Sequence, residues 1–231
     1  MKENDIKNAG KAITITTVLT LFIATFEMVN ALGFYKQGMN LLDIASYVQA
    51  NKWIFAFIFI FGNLVLFPGA WFLYKANGIS LKKEIFEREN LGGDIFWGII
   101  LATIAGLFSL LWVPVYKGCT ELAFVEDGRM GVGVTILYVI SLVFVSGIFK
   151  EIYYRGFATR FCGPIFGEVT ALLLFNMLFA LLDWYNFGYS FVLGLVCIFG
   201  YQKRKRMVVP MIIHGGTNLI SIIYIIVMGG Y

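Results

Sequence analysis

The sequence predicts an all-α, polytopic membrane helix bundle of about seven transmembrane helices. Three observations carry that prediction. Of the 231 residues, 59% are hydrophobic and only 14% charged, whereas a soluble domain has about 45–50% apolar and ~25% charged residues. Mean hydropathy is +0.80. The apolar residues fall into runs of about 20, the length that crosses a bilayer as a helix. Together these exclude a soluble enzyme, a disordered tail and a conventional nucleic-acid binder.

The elements follow in order. A short polar start with Lys2, Lys7 and Lys11 precedes an apolar run from Ala12 to Leu32. It is too long for a signal-peptide core and lacks a small-x-small cleavage site, so it reads as the first span. Glu27 lies inside it, and packing against the bundle is its expected role. Residues 35–51 have the spacing of a short interfacial helix. The second span runs from Trp53 to Tyr74, with Pro68 as an expected kink. A charged loop leads to the third, Ile95 to Tyr116. Trp53, Trp71, Trp97 and Trp112 fall near span ends, as aromatic belts do.

The fourth helix starts near Val132, passes through Lys150-Glu151-Ile-Tyr-Tyr-Arg155, and meets its first breaker at Gly163-Pro164. The expected helix, 132–161, is longer than one crossing. The fifth span is Val169 to Trp184, the sixth the shorter Tyr189 to Tyr201, and the seventh Val208 to Val227. Lys203-Arg204-Lys205-Arg206 separates the last two. Residues 1–131 thus form three N-terminal spans with their loops, and 132–231 a four-helix core. With the N-terminus in the cytoplasm, 14 of the 18 Lys and Arg residues lie on the inner side and 4 on the outer. That asymmetry predicts a multi-pass cell-membrane protein with its C-terminus outside.

Ionisable groups inside a membrane are costly and are functional candidates for that reason. Here they are Glu27, Lys150, Glu151, Arg155, Asp183 and His214, most of them in the last 85 residues. Glu151 and Arg155 are four apart and share a helix face. Phe179 and Asp183 are also four apart, with Asn176 one turn earlier. His214 and Asn218 repeat the spacing, beside Gly215 and Gly216, which let a neighbouring helix approach. Three helices therefore each present one polar stripe, and such stripes must face one another, because lipid satisfies none of them. Each residue also has a plain structural reading. Glu151–Arg155 makes an ordinary interfacial ion pair, His214 a satisfied core histidine, and Asp183 a helix-end cap.

The three stripes resemble the motifs of the CAAX protease and bacteriocin-processing family, also called Abi or CPBP. Its members carry Glu-Glu-x-x-x-Arg, Phe-x-x-x-His and His-x-x-x-Asn/Asp on successive helices. This chain has Lys150-Glu151-Ile-Tyr-Tyr-Arg155-Gly156-Phe157, Phe179-Ala-Leu-Leu-Asp183 and His214-Gly-Gly-Thr-Asn218, with Phe166-Gly167 and Gly194-Leu195 as further family-like text. The resemblance covers residues 132–227. It implies a CPBP-like core and descent from intramembrane endopeptidases of CAAX-type, bacteriocin-processing, self-immunity or peptide-signalling roles. In the family, the first Glu and the third-motif His activate water, while the second-motif His and third-motif Asn stabilise the oxyanion.

By that resemblance Glu151, His214 and Asn218 are the matching catalytic remnants, with Arg155, Phe179 and Asn176 in support. Two catalytic positions are substituted: Lys150 stands for the first Glu and Asp183 for the first His. A protonated Lys is no base, and an Asp carboxylate cannot donate to an oxyanion. The changes look coupled, since opposite charges tolerate each other where a lone buried charge is expensive. The expectation is a Lys150–Asp183 ion pair in the former active site. It requires the fourth helix to cross the bilayer at about 137–160, with Lys150 and Asp183 both deeper than a simple reading of the spans allows.

The leading functional expectation is a catalytically impaired pseudoprotease that binds or regulates a membrane or peptide partner. The alternatives are an active glutamic-type intramembrane peptidase using Glu151 with His214, and a transporter gated by Lys150–Asp183. Absence of inverted repeats weighs against the transporter. The expected partners are membrane lipids and a protein or peptide in the membrane, with no nucleic acid. No cofactor is expected. With one histidine in the chain and three cysteines at no ligand-like spacing to it, no zinc is expected either. The sequence names no substrate.

Overall fold

The computed structural model describes residues 3–38, 51, 53, 57, 60–62, 64, 66–86, 90–116, 132–183 and 187–228. The expected interfacial helix falls mostly outside these residues, as do Cys119, Trp184 and the side chain of Glu27. Among the described residues there is helix and no strand. We number the helices α1 (Glu3–Lys36), α2 (Leu66–Ala76), α3 (Leu81–Phe86), α4 (Leu91–Tyr116), α5 (132–166), α6 (Glu168–Leu182), α7 (Phe187–Arg204) and α8 (Val208–Met228).

The chain is an all-α membrane bundle. Segments Glu3–Phe26, Leu91–Leu111 and Thr135–Phe166 are long and apolar enough to cross a membrane, while Glu168–Leu182 and Val208–Tyr224 are apolar but shorter. The side-chain distribution suits lipid as the solvent. Along α1, Thr16 and Thr20 are buried, whereas Val18, Leu21, Phe22, Phe26 and Val29 are exposed. Water would reverse that order. In a membrane the bulky apolar groups lose nothing by facing outward, and the Thr20 hydroxyl finds its partners inside, the Thr16 carbonyl and the Tyr154 hydroxyl.

Several helices outrun the predicted spans. α1 starts at Glu3 rather than Ala12, with Glu3 and Asp5 in its first turn and Lys36 in its last. Those charges complement the helix dipole and let the helix project beyond the apolar layer. α7 extends past Tyr201 to take in Lys203 and Arg204 at its C-terminal turn, for the same reason. Pro68 lies within α2.

The largest correction concerns α5. It does not stop at Gly163-Pro164 but continues to Phe166. Two stretches, Ile140–Ser146 and Ile152–Cys162, are π-helical, flanking a short α segment Gly147–Glu151. The second π stretch ends at the proline, which enters the first turn of the next α segment, where its ring and missing donor are tolerated. The break comes instead at Gly167, whose φ of +82° suits glycine and reverses the chain into α6. π geometry is rare and concentrates at functional sites. Here it brackets Lys150 and Glu151.

The core lies where α5 meets α1, α6 and α8. Phe157, Phe161, Tyr153, Tyr74, Leu172, Phe175 and Ile213 are among its buried members. The α5–α8 crossing is made by glycines. A Cβ at Gly215 would press on the Val143 carbonyl, and one at Gly147 on the Gly215 backbone. The close approach expected from Gly215 and Gly216 is therefore used, with α5 and α4 as the neighbours.

Candidate functional site

The site is assembled around Glu151, at the end of the short α segment of α5. Its side chain has no solvent exposure. Oε1 accepts a hydrogen bond from Arg155 Nη1 at 3.2 Å, one turn on in the same helix. The same oxygen lies 2.8 Å from His214 Nδ1, which α8 brings across. Oε2 is buried and has no hydrogen-bond partner among the described residues.

Arg155 is also fully buried, and its guanidinium ties three helices together. Nη2 donates to Asn176 Oδ1 of α6 at 3.1 Å and to the Gly194 carbonyl of α7 at 3.0 Å. Asn176 in turn donates through Nδ2 to the Phe191 carbonyl at 3.0 Å. The guanidinium carbon sits 4.4 Å from the centroid of the Phe179 ring, a favourable cation–π placement in a desolvated site. The Phe179 ring also meets His214 edge-on, with centroids 5.4 Å apart. Gly194 makes this possible: a Cβ there would collide with the Asn176 amide and the Arg155 guanidinium.

Lys150 and Asp183 meet on an adjoining face. Nζ and Oδ1 are 3.8 Å apart, and the side chains keep 15% and 24% of their exposure. Asp183 is the residue just beyond α6 and accepts a hydrogen bond from Ser190 of α7 at 2.6 Å through Oδ2. The long α5 carries Lys150 far enough to reach the end of α6. The separation is at the outer limit of an ion pair.

The structure thus gathers Glu151, Arg155, Asn176, Phe179 and His214 into one contiguous group and sets Lys150 and Asp183 beside it. Asn218 stands apart from the carboxylate. Its amide donates to the Leu142 carbonyl at 2.9 Å, within the first π stretch, so it braces α5 against α8. Four groups were not foreseen from the sequence: the Gly194 carbonyl, Ser190, Tyr154 and Thr20. Tyr154 packs edge-on against Phe179 with centroids 5.4 Å apart, and its hydroxyl is 2.6 Å from Thr20 Oγ1 of α1. Ser190 and Thr20 carry a weak signal, as hydroxyls in apolar runs; a backbone carbonyl carries none.

Chemically, the arrangement can hold one carboxylate against one imidazole in a dry interior. Among the described residues no group of three His, Cys, Asp or Glu side chains could hold a metal ion.

Comparison with known proteins agrees with this core. Residues 132–220 match the family model described as type II CAAX prenyl endopeptidase Rce1-like. The chain is also similar to the UPF0177 protein YbdI of Lactococcus lactis subsp. lactis (strain IL1403). The two are 25% identical over 169 residues, which is 71% of this chain and 93% of that protein. No solved structure matches. The matched residues run from α5 into α8, the four helices that build the Glu151–Arg155–Asn176–His214 group, and over that core the chain is similar to the CAAX protease and bacteriocin-processing family of membrane proteins.

Proposed function

We propose that this CPBP-type membrane protein is a catalytically impaired pseudoprotease that binds or regulates a protein or peptide partner in the membrane. The observation that supports this reading is the pairing of Lys150 with Asp183 at 3.8 Å. These two side chains stand at the positions where the family's motifs place a base and an oxyanion donor. A lysine ammonium has donors and no lone pair, so it takes no proton from water. An aspartate that accepts from Ser190 repels developing negative charge where a donor is needed. The loss of one such donor alone costs about 10²–10³ in rate.

The 2.8 Å contact between Glu151 and His214, with Oε2 of Glu151 unpartnered, favours a second reading. In it, Glu151 is the base of an altered but active glutamic-type peptidase (a hydrolase). Incubating the purified full chain in detergent with a peptide library separates the two. The first reading expects no cleavage. Cleavage that disappears in Glu151→Gln would overturn it in favour of the second. Lys150→Glu with Asp183→His rebuilds both motifs and is expected to raise peptidase activity above that of the native chain.

The orientation belongs to the same proposal: N-terminus and loop 203–206 in the cytoplasm, C-terminus outside. The charge asymmetry supports it. Reporter fusions at loop 203–206 and after Tyr231 test it, and a cytoplasmic signal from the C-terminal fusion would refute it.

A further inference from the structure

α4 and α7 run antiparallel, and their contacts keep one register. Asp94 pairs with Arg204 at 2.7 Å. Trp97 lies under Lys203, with Nζ 3.7 Å from the ring centroid. Gly200 approaches Leu101. Further along, the two helices part into an apolar groove of about 220 Å³ lined by Ile104, Ala105, Phe108, Val192, Leu193 and Val196, among others. Ile104, Phe108 and Val192 remain exposed among these, so the groove opens outward, toward lipid.

The residues along this seam recur at helical spacing. Trp97, Ile104 and Phe108 are seven and four apart. Val192, Val196, Phe199 and Lys203 are four, three and four apart. Each set lies on one stripe. One cation therefore stands at the head of one continuous apolar track. From the level of Trp97 to Ile104 is about 10 Å, and to Phe108 about 16 Å, at 1.5 Å per residue.

The charge at the head is uncommitted to acid. Arg204 is held by Asp94, and Lys205 by Glu168 at 2.8 Å. Lys203 lies over the rings of Trp97 and Phe199 instead, with no carboxylate paired to it among the described residues. A cation at a helix end, an aromatic beneath it and an apolar groove one to two turns deeper match an amphiphile with an anionic head.

We propose that the α4–α7 seam binds an anionic phospholipid, its phosphate on Lys203 and one acyl chain in the groove between Ile104, Phe108, Val192 and Val196. This site is separate from the Glu151 group and independent of whether that group catalyses anything.

The test is native mass spectrometry of the full chain in mild detergent, titrated with phosphatidylglycerol and with phosphatidylcholine of the same acyl chains. One phosphatidylglycerol per chain is expected to be retained in preference to phosphatidylcholine. Lys203→Gln should weaken phosphatidylglycerol binding about five-fold, the worth of one juxtamembrane cation, and leave phosphatidylcholine unchanged. Val192→Trp, which fills the groove and leaves Lys203 in place, should reduce phosphatidylglycerol retention as well. Ile104→Trp fills it from the opposite helix and serves if the first variant loses its helical signal. Equal retention of the two lipids, or no response to Lys203→Gln, overturns the proposal. A response to Lys203→Gln with none to either tryptophan overturns the acyl groove and leaves only surface attraction. Retention of a second chain copy in place of lipid overturns it too.

Discussion

Glu151 and Lys150 are consecutive residues, yet their ion pairs belong to different physical regimes. Glu151–Arg155 is fully buried at 3.2 Å, and the guanidinium goes on to donate to Asn176 and the Gly194 carbonyl. Lys150–Asp183 spans 3.8 Å and keeps part of its solvent access. Adjacent helical residues point about 100° apart, so one faces the bundle axis and the other its flank. The difference teaches that a charge pair in this membrane bundle is held by what completes its hydrogen bonding. The inner pair is one link in a chain across four helices. The outer pair joins the middle of α5 to the end of α6, with a hydrogen bond from Ser190 in support.

The first way to break that comparison is to cut the inner pair. Arg155→Met removes the permanent cation beside the Glu151 carboxylate, leaves it His214, and frees Asn176 and the Gly194 carbonyl together. A loss of about 3–5 kcal/mol is expected, which for a protein of this size means failure to accumulate or a sharply lowered melting temperature in detergent. A melting curve close to that of the native chain would mean the inner network carries little.

A milder cut tests geometry without touching charge. Gly194→Ala places a methyl group against the Asn176 amide and the Arg155 guanidinium. Overpacking at such a point costs about 1–3 kcal/mol. The melting temperature should fall between those of the native chain and Arg155→Met. An unchanged value would mean that α7 can move outward without cost.

The outer pair sharpens the contrast through a double-mutant cycle. Partial exposure screens it, so Lys150→Met and Asp183→Leu should each cost about 1 kcal/mol or less. The double variant should cost less than the two singles combined, because neither charge is left unpaired. Strict additivity in melting experiments would show that the pair is not coupled. Losses as large as that of Arg155→Met would erase the distinction between the two regimes.

Much of the architecture is legible in the chain because the rules involved are local. Apolar runs of about 20 residues located the start of α4 to within four residues and that of α8 at the same residue. The four-residue spacing of Glu151 and Arg155 placed them on one face, and the structure joins them. The His214 stripe reached the carboxylate, but its second member did not: Asn218 serves the Leu142 carbonyl. A stripe gives the direction of a side chain and not its depth. Helix ends were underestimated, since hydropathy marks where lipid stops and α1 and α7 continue beyond it on favourable end charges.

By itself, the sequence determined an all-helical membrane chain, the approximate helix order, and the ionisable residues that lipid cannot accept. Composition and periodicity settle these, because each residue meets the same solvent wherever its helix lies. Only the tertiary structure decided that α5 takes up two π-helical stretches and continues past Pro164, that Gly194 supplies a carbonyl to Arg155, and that α1 reaches the site through Thr20 and Tyr154. It also decided that Lys150 and Asp183, 33 residues apart, lie within ion-pair distance while remaining partly exposed. These depend on the rotation and depth of one helix against another. Packing of glycines and closure of hydrogen bonds across several chain segments fix those two quantities, and no local stretch of sequence contains both partners.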